Sequence, residues 1–334
     1  MPVSLRTSIF AAFAGLLALS PANAQGLFVN PFEEKPMGIA QHPSFLAEGG
    51  GPHPNRAFSA YVGDVGMRLA RVSAKYPDAF VFTTLNSSSF NAFNSLGGFV
   101  YVYAGIIPWM NDESELAALL GHEIGHAVKR HVAHGMNRRA VADRMIALSV
   151  LRGRSQSTIE DKRVRAELIG LEFSREQEYE ADDNAFTATQ GVGYDPSASA
   201  RMLNALVLRR QIDKLRLGDG YKEGPSFLDN HPPAPDRVRR ALSHAQGAGG
   251  TGTTNRDQFL DMLDGFTVPA SKLTLDKPTR VRVVKMQSGQ SPEALAAQML
   301  TAPRLKLPLL LAMNGLSDPS ELRAGARIKL LVAR

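Results

Sequence analysis

The sequence predicts an α+β protein, mainly helical, with a small β-sheet and a small C-terminal module. Three observations predict it. Apolar residues recur at helical spacing in several stretches, most clearly "ELAALLGHEIGHAVKRH" (115–131). Two short runs, "AFVFTTL" (79–85) and "GGFVYVYAG" (97–105), carry the β-branched and aromatic residues of strands, punctuated by glycine. A stretch of small residues, "AQGAGGTGTTN" (245–255), reads as a flexible linker before a further module.

Composition sets the frame. The chain has 334 residues, 44% hydrophobic and 21% charged, which is ordinary for a globular protein. Its formal charge of +6 is spread over scattered lysines and arginines. No basic stripe interleaved with aromatics is present, so nucleic-acid binding is not expected. There is no cysteine, hence no disulfide and no lipid-bearing cysteine.

The N-terminus has Arg6, an apolar run from Ile9 to Leu19, and Ala22-Asn23-Ala24 before Gln25. That is the pattern of a secretory signal cleaved after Ala24, and its apolar run is short for a membrane span. No later run qualifies as a span, so the mature chain is expected to be soluble and periplasmic.

In order, the expected organisation is a signal peptide (1–24), an extended Pro/Gly-rich lead (25–55), a main domain (56–246), a linker (247–277) and a small terminal domain (278–334). Within the main domain, a helix is expected across 55–76, followed by the two strands. A further helix opens near Asp112, where Asp112 and Glu115 stand at capping-box spacing. Leu116, Leu119, Leu120, Ile124 and Val128 give that helix an apolar face. More helices are expected at about 136–152, 160–190, 196–215 and 234–245.

The helix from Asp112 carries three polar groups in an apolar run. His122 and His126, at i and i+4, direct both imidazoles to one side, and Glu123 lies one step round. This is the HExxH pattern of zinc hydrolases. Imidazoles suit zinc, a set of three protein ligands leaves a position for water, and the carboxylate takes that water's proton. Gly121 and Gly125 each cost a helix about 1 kcal/mol against alanine, so something closely approaches this face.

In "ELIGLEFSREQEYEADDNAF" (167–186), Leu171, Glu178, Asp182 and Ala185 share one helical face. Two carboxylates on a partly apolar stripe need a positive partner. Glu178 is read as the third metal ligand, with Asp182, one turn on, orienting a ligand histidine. The alternative is a salt bridge to Arg175 or another arginine. Glu176 and Glu180 fall about 200° away and are read as solvated charges, and His131, about 140° from His126, is left off the metal face.

"HEIGH" followed by "SREQEYEAD" resembles the zinc metallopeptidases of the HtpX and CAAX prenyl endopeptidase type, and most closely their soluble periplasmic, BepA-like members. The resemblance runs from about 56 to 246. It takes in "NAFNSLGGFVYVYAGII" (91–107) and "FLDNHPPAPDRVRR" (227–240), although Asn94-Ser95 interrupts the first and Asp-Asn precedes the second. It implies a zincin-like domain binding one Zn2+ through His122, His126 and Glu178, with Glu123 as general base. Gly98, Phe99, Val100 and Tyr101 would form the edge strand that receives an extended substrate. His231 is expected to donate to the developing oxyanion, the other role open to it being a resting-state zinc ligand. Arg237 would anchor the His231 loop or assist the oxyanion.

The terminal module is similar to LysM in its strand–helix–helix–strand order, with Gln290-Ser291 where many such modules have Asp-Thr. Peptidoglycan or an envelope protein is its expected partner. The reading is an exported zinc endopeptidase acting on unfolded or misfolded envelope proteins. Its rivals are a cell-wall-binding protein with an inactive protease domain and a metal-dependent hydrolase of a non-protein substrate.

Overall fold

The computed structural model describes residues 29–151, 155, 157, 173–218, 227, 231, 235–249 and 251–334. The expected signal peptide, and the expected helix over 160–190 as far as residue 172, lie outside them.

The lead segment is not extended. Helix α1 (Pro31–Glu48) begins on an Asn30–Glu33 capping box with Pro31 in its first turn. Pro36 and Pro43 inside it hid the helix from a reading of composition. Helix α2 (Arg56–Ser73) follows, capped by Asn55.

Strands β1 (Val81–Leu85), β2 (Ala92–Asn94) and β3 (Phe99–Tyr103) form a sheet in the order β1-β3-β2. β3 pairs parallel with β1 and antiparallel with β2. Its side chains alternate as a strand's must. Val100 and Val102 enter the main core, while Phe99, Tyr101 and Tyr103 join Phe45 of α1 and Leu85 in a second cluster.

Under the sheet runs α3 (Glu113–Val128), buried along nearly its whole length. Asp112 is its N-cap and accepts from the Glu115 N–H at 2.9 Å. The chain reverses at Arg130, which has φ 56°, and enters α4 (His131–Leu151). Helix α5 (Arg175–Gly191) packs across α3, followed by α6 (Ala198–Leu217) and α7 (Pro235–Ala248). No helix among the described residues is long and apolar enough to cross a membrane.

The stretch expected to be linker holds structure. It contains α8 (Arg256–Leu263) and β4 (Thr267–Ser271). Before them the Asp195 N–H donates to Thr253 O and the Thr253 N–H to Gly193 O, stitching the glycine-rich run to the main domain. β5 (Lys277–Lys285), α9 (Pro292–Ala296), α10 (Lys306–Met313) and β6 (Arg327–Ala333) complete the terminal region, with a sheet in the order β4-β5-β6. Its apolar residues, Leu309 and Leu330 among them, belong to the same core as Phe58, Trp109 and Leu206.

This terminal region also holds the start of α3. Lys329, fully buried on β6, donates its Nζ to Pro108 O at 2.7 Å and Met110 O at 2.6 Å. Arg256 Nη1 reaches Asn111 O at 2.6 Å, and Asn255 Nδ2 reaches Glu113 Oε1 at 2.8 Å.

Candidate metal centre

Helices α3 and α5 cross where neither carries bulk. A Cβ on Gly121 would stand 3.0 Å from Ala185 Cα, and one on Gly125 would stand 2.9 Å from Ala181 Cα. The two glycines therefore let the α5 backbone approach, and that approach brings Glu178 beside His122 and His126.

The ligand atoms gather into one buried cluster of His122, His126, Glu178 and His231, all within 4.8 Å of one another. Nε2 of His122 lies 3.1 Å from Nε2 of His126 and 3.1 Å from Nδ1 of His231. Glu178 Oε1 is 2.8 Å from His231 Nδ1 and 3.4 Å from His126 Nε2. Bonds of about 2.0–2.1 Å to a tetrahedral zinc place its ligand atoms about 3.3 Å apart. The donor spacing fits zinc, as does the mixture of imidazoles and carboxylate.

Electrostatics favour a cation as well. Burial alone would raise the Glu178 carboxyl, but the charge of His231 and the bonds from His126 and His231 hold it well below its ordinary value. Burial would lower His231, yet Glu178 outweighs this and raises it. Glu178 thus keeps the negative charge that can meet a cation, while burial lowers His126 well below its ordinary value and keeps that imidazole neutral, the form that binds metal.

Each ligand is held from behind. Asp182 Oδ1 is 3.0 Å from His122 Nδ1. Arg237 donates from Nε to Asp182 Oδ2 and from Nη2 to Oδ1, both at 2.7 Å, and its Nη1 stands 2.6 Å from Glu178 Oε2. Burial is outweighed by those Arg237 bonds, and the Asp182 carboxyl falls to about 2. The positive partner of the two acids is therefore Arg237, whereas Arg175 lies 3.9 Å from Asp236. Arg237, expected to anchor the His231 loop or assist the oxyanion, directs these donors to the two carboxylates.

His126 has a support that spacing did not reveal. Its Nδ1 is 2.8 Å from His131 Nδ1, and His131 Nε2 is 2.9 Å from Glu180 Oε2. The turn at Arg130 breaks the helical phase that had placed His131 off the face. Glu180, read as a solvated charge, is only half exposed and anchors that imidazole. The Phe173 ring stacks on His126 with centroids 3.9 Å apart.

Glu123 is fully buried, and neither carboxylate oxygen completes a hydrogen bond. The Asn94 N–H faces it, and His231 Nε2 is 3.8 Å from Oε1. Burial raises its pKa. An orphaned, buried carboxyl beside the donor cluster is costly to fold.

The expected substrate strand is corrected. Gly98, Phe99, Val100 and Tyr101 lead into and form β3, which is the central strand and has its main chain paired on both sides. The edge nearest α3 is β2, which was too short to stand out by pattern. Phe227 approaches that edge, its N–H donating to Phe90 O at 2.9 Å, and its ring stacks on His231 with centroids 4.4 Å apart.

The profile of the peptidase family M48 matches residues 57–245, more than half of the chain and all of this site. The chain belongs to peptidase family M48. Its M48 region is 26% identical over 194 residues to the beta-barrel assembly-enhancing protease of Escherichia coli (strain K12), covering 55% of this chain and 38% of that one. Metalloprotease LoiP of the same organism is 30% identical over 154 residues, 45% of this chain and 56% of its own. Metalloprotease YcaL, also from that organism, is 29% identical over 184 residues, 52% and 67% respectively. The chain thus spans well under half the length of the first of these relatives. Zinc, the metal of the M48 family, is the cofactor this donor set fits.

Proposed function

We propose that this M48 chain is a zinc-dependent endopeptidase that cleaves unfolded or misfolded polypeptides of the bacterial envelope. One observation carries the reading. A buried carboxyl without a partner, Glu123, sits between a zinc-shaped donor cluster and the edge strand of a sheet.

His122, His126 and Glu178 would hold the metal, with Asp182 and His131 fixing the two imidazoles. Bound zinc would polarise the scissile carbonyl and lower the pKa of water to about 7. Glu123, its pKa raised by burial, accepts the proton of the attacking water and passes it to the departing amine. The unpaired side of β2 offers main-chain groups to an extended substrate. Such pairing does not depend on side chains, and it suits unfolded substrates of varied sequence.

His231 is assigned the role that was the lesser expectation, that of a resting-state ligand. Its Nδ1 stands among the other donors at 2.8–3.1 Å. Phe227 bonds to Phe90 just ahead of β2, and the His231 N–H donates to Phe227 O at 2.8 Å as the imidazole fills the fourth corner.

The name of one relative, the beta-barrel assembly-enhancing protease, supports an envelope setting, as does the secretory pattern of residues 1–24. The terminal region has the strand–helix–helix–strand order of the LysM-like expectation within β5, α9, α10 and β6. Binding of peptidoglycan or an envelope protein through it belongs to the proposal.

The deciding experiment is Glu123→Gln. The variant should keep stoichiometric zinc and lose casein cleavage, because Glu123 is the base and not a ligand. Activity within a few-fold of wild type would remove Glu123 from the mechanism. A wild-type chain that binds peptidoglycan but holds no zinc and cuts no casein would favour the rival, a wall-binding protein with an inactive protease domain.

A further inference from the structure

Helix α4 has two apolar stripes and covers only one. Ala142, Ile146 and Ser149, at i, i+4 and i+7, are turned inward and are half-buried or buried. A second stripe with the same spacing, Val141, Met145 and Leu148, remains 41%, 57% and 42% exposed, and Leu151 at the helix end is 82% exposed. Beyond Gly135, Ser149 is the only buried residue of the helix.

The charges are ordered about that stripe. At about 100° per residue, Val141, Met145 and Leu148 lie within about 60° of one another. Exposed Arg138 and Arg144 border them on opposite sides, about 50° and 70° from the centre. Asp143, the only acid between Arg138 and Leu151, lies about 170° away and is bonded to Arg139 at 3.1 Å. That stripe thus lies between two cations, while Leu151 and Val150, the latter 49% exposed, lie outside it.

We propose that this face of α4 docks on an anionic lipid surface. The apolar strip would enter the headgroup boundary, and the two arginines, their stems lying along the strip, would reach the lipid phosphates. A planar, negatively charged surface matches that charge pattern. Since α4 starts at His131, which is bonded to the ligand His126, docking would hold the metal centre a fixed distance from the membrane.

Vesicle co-sedimentation of the full, zinc-loaded chain tests this. The chain should sediment with equimolar phosphatidylglycerol and phosphatidylcholine, not with phosphatidylcholine alone, and added salt should release it. Arg138→Glu/Arg144→Glu should bind roughly 30-fold more weakly, from about 1 kcal/mol per arginine. Val141→Ser/Met145→Ser/Leu148→Ser should lose about tenfold or more. Both variants should cleave a short soluble peptide at the wild-type rate, which shows that they are folded. Equal sedimentation with neutral vesicles, no sedimentation at all, or unchanged binding by either variant would overturn the proposal. Salt-sensitive binding to an acidic protein without binding to vesicles would assign the face to a protein partner instead.

Discussion

His231 Nδ1 lies 2.8 Å from Glu178 Oε1, so the residue that arrives from outside the two central helices touches the ligand contributed by the second of them. This contact fills the fourth corner of the donor cluster. Replacing His231 with alanine should therefore raise basal turnover of casein several-fold while zinc stays bound. Steady-state rates on casein check it. A fall of roughly 10²–10³ would restore the oxyanion role instead.

Arg237 couples Glu178 of the donor cluster to Asp182, which holds His122 from behind. Arg237→Ala leaves Glu178 and Asp182 buried without their cation, and breaking such a pair costs about 3–5 kcal/mol. Arg237→Lys should recover little, since one ammonium cannot reproduce a planar fork that meets two acids. Denaturant unfolding of the zinc-loaded variants measures this. Glu178→Ala should lower zinc content and melting temperature together.

His131→Ala should weaken zinc binding or activity roughly 10- to 100-fold, the scale expected when a partner of a ligand imidazole is removed. Asp182→Ala should fall in the same range. Glu180→Gln should be milder, since Glu180 is half exposed and an amide can still accept from His131. Competition with a chelator of known affinity separates the three.

Truncation near Gly247 should not leave a working enzyme. Loss of Arg256 and Lys329 frees the carbonyls of Pro108, Met110 and Asn111 and uncovers the core that α8, α10 and β6 close. The shortened chain should be unfolded or zinc-poor by circular dichroism and metal analysis. A folded, zinc-binding truncation would show that the terminal region is separable after all.

Lys329 also sets a pH dependence. Burial lowers its pKa to about 7 from an ordinary value of about 10.4. Glu115 and Asp112 oppose that shift, and Arg256 adds to it. Between these two values the unfolded chain binds more protons, so stability rises with pH across that window. Below about 7 both states are protonated and the contribution is flat. The melting temperature of wild type should therefore climb relative to Lys329→Met as pH goes from 7 towards 10. Parallel profiles would mean that Lys329 is not buried as described.

What the sequence made legible were groups whose roles follow from local periodicity. His122, Glu123 and His126 share one turn of one helix, and Glu178 and Asp182 are one turn apart on another. Gly121 and Gly125 announced a close approach, and α5 makes it. What was hidden depended on chain reversal or on partners distant in sequence. His131 rejoined the site because Arg130 adopts φ 56°, which no wheel of a continuous helix anticipates. Helix α1 was masked by Pro36 and Pro43, and its Asn30–Glu33 box was the signal that could have found it. β2 is three residues long, below what alternation can identify. The terminal region looked detachable because glycine and threonine suggest flexibility, whereas the backbone of Thr253 pairs with that of Gly193 and Asp195.

The bonds from Lys329 also have a bearing on timing. Lys329 and Pro108 are 221 residues apart, so the support beneath the start of α3 is made long after α3 itself. At about 5–20 residues per second, synthesis leaves roughly 10–40 s in which His122, Glu123 and His126 exist without it. Through that interval the nascent polypeptide carries its own scissors half-assembled, until β6 arrives beneath them.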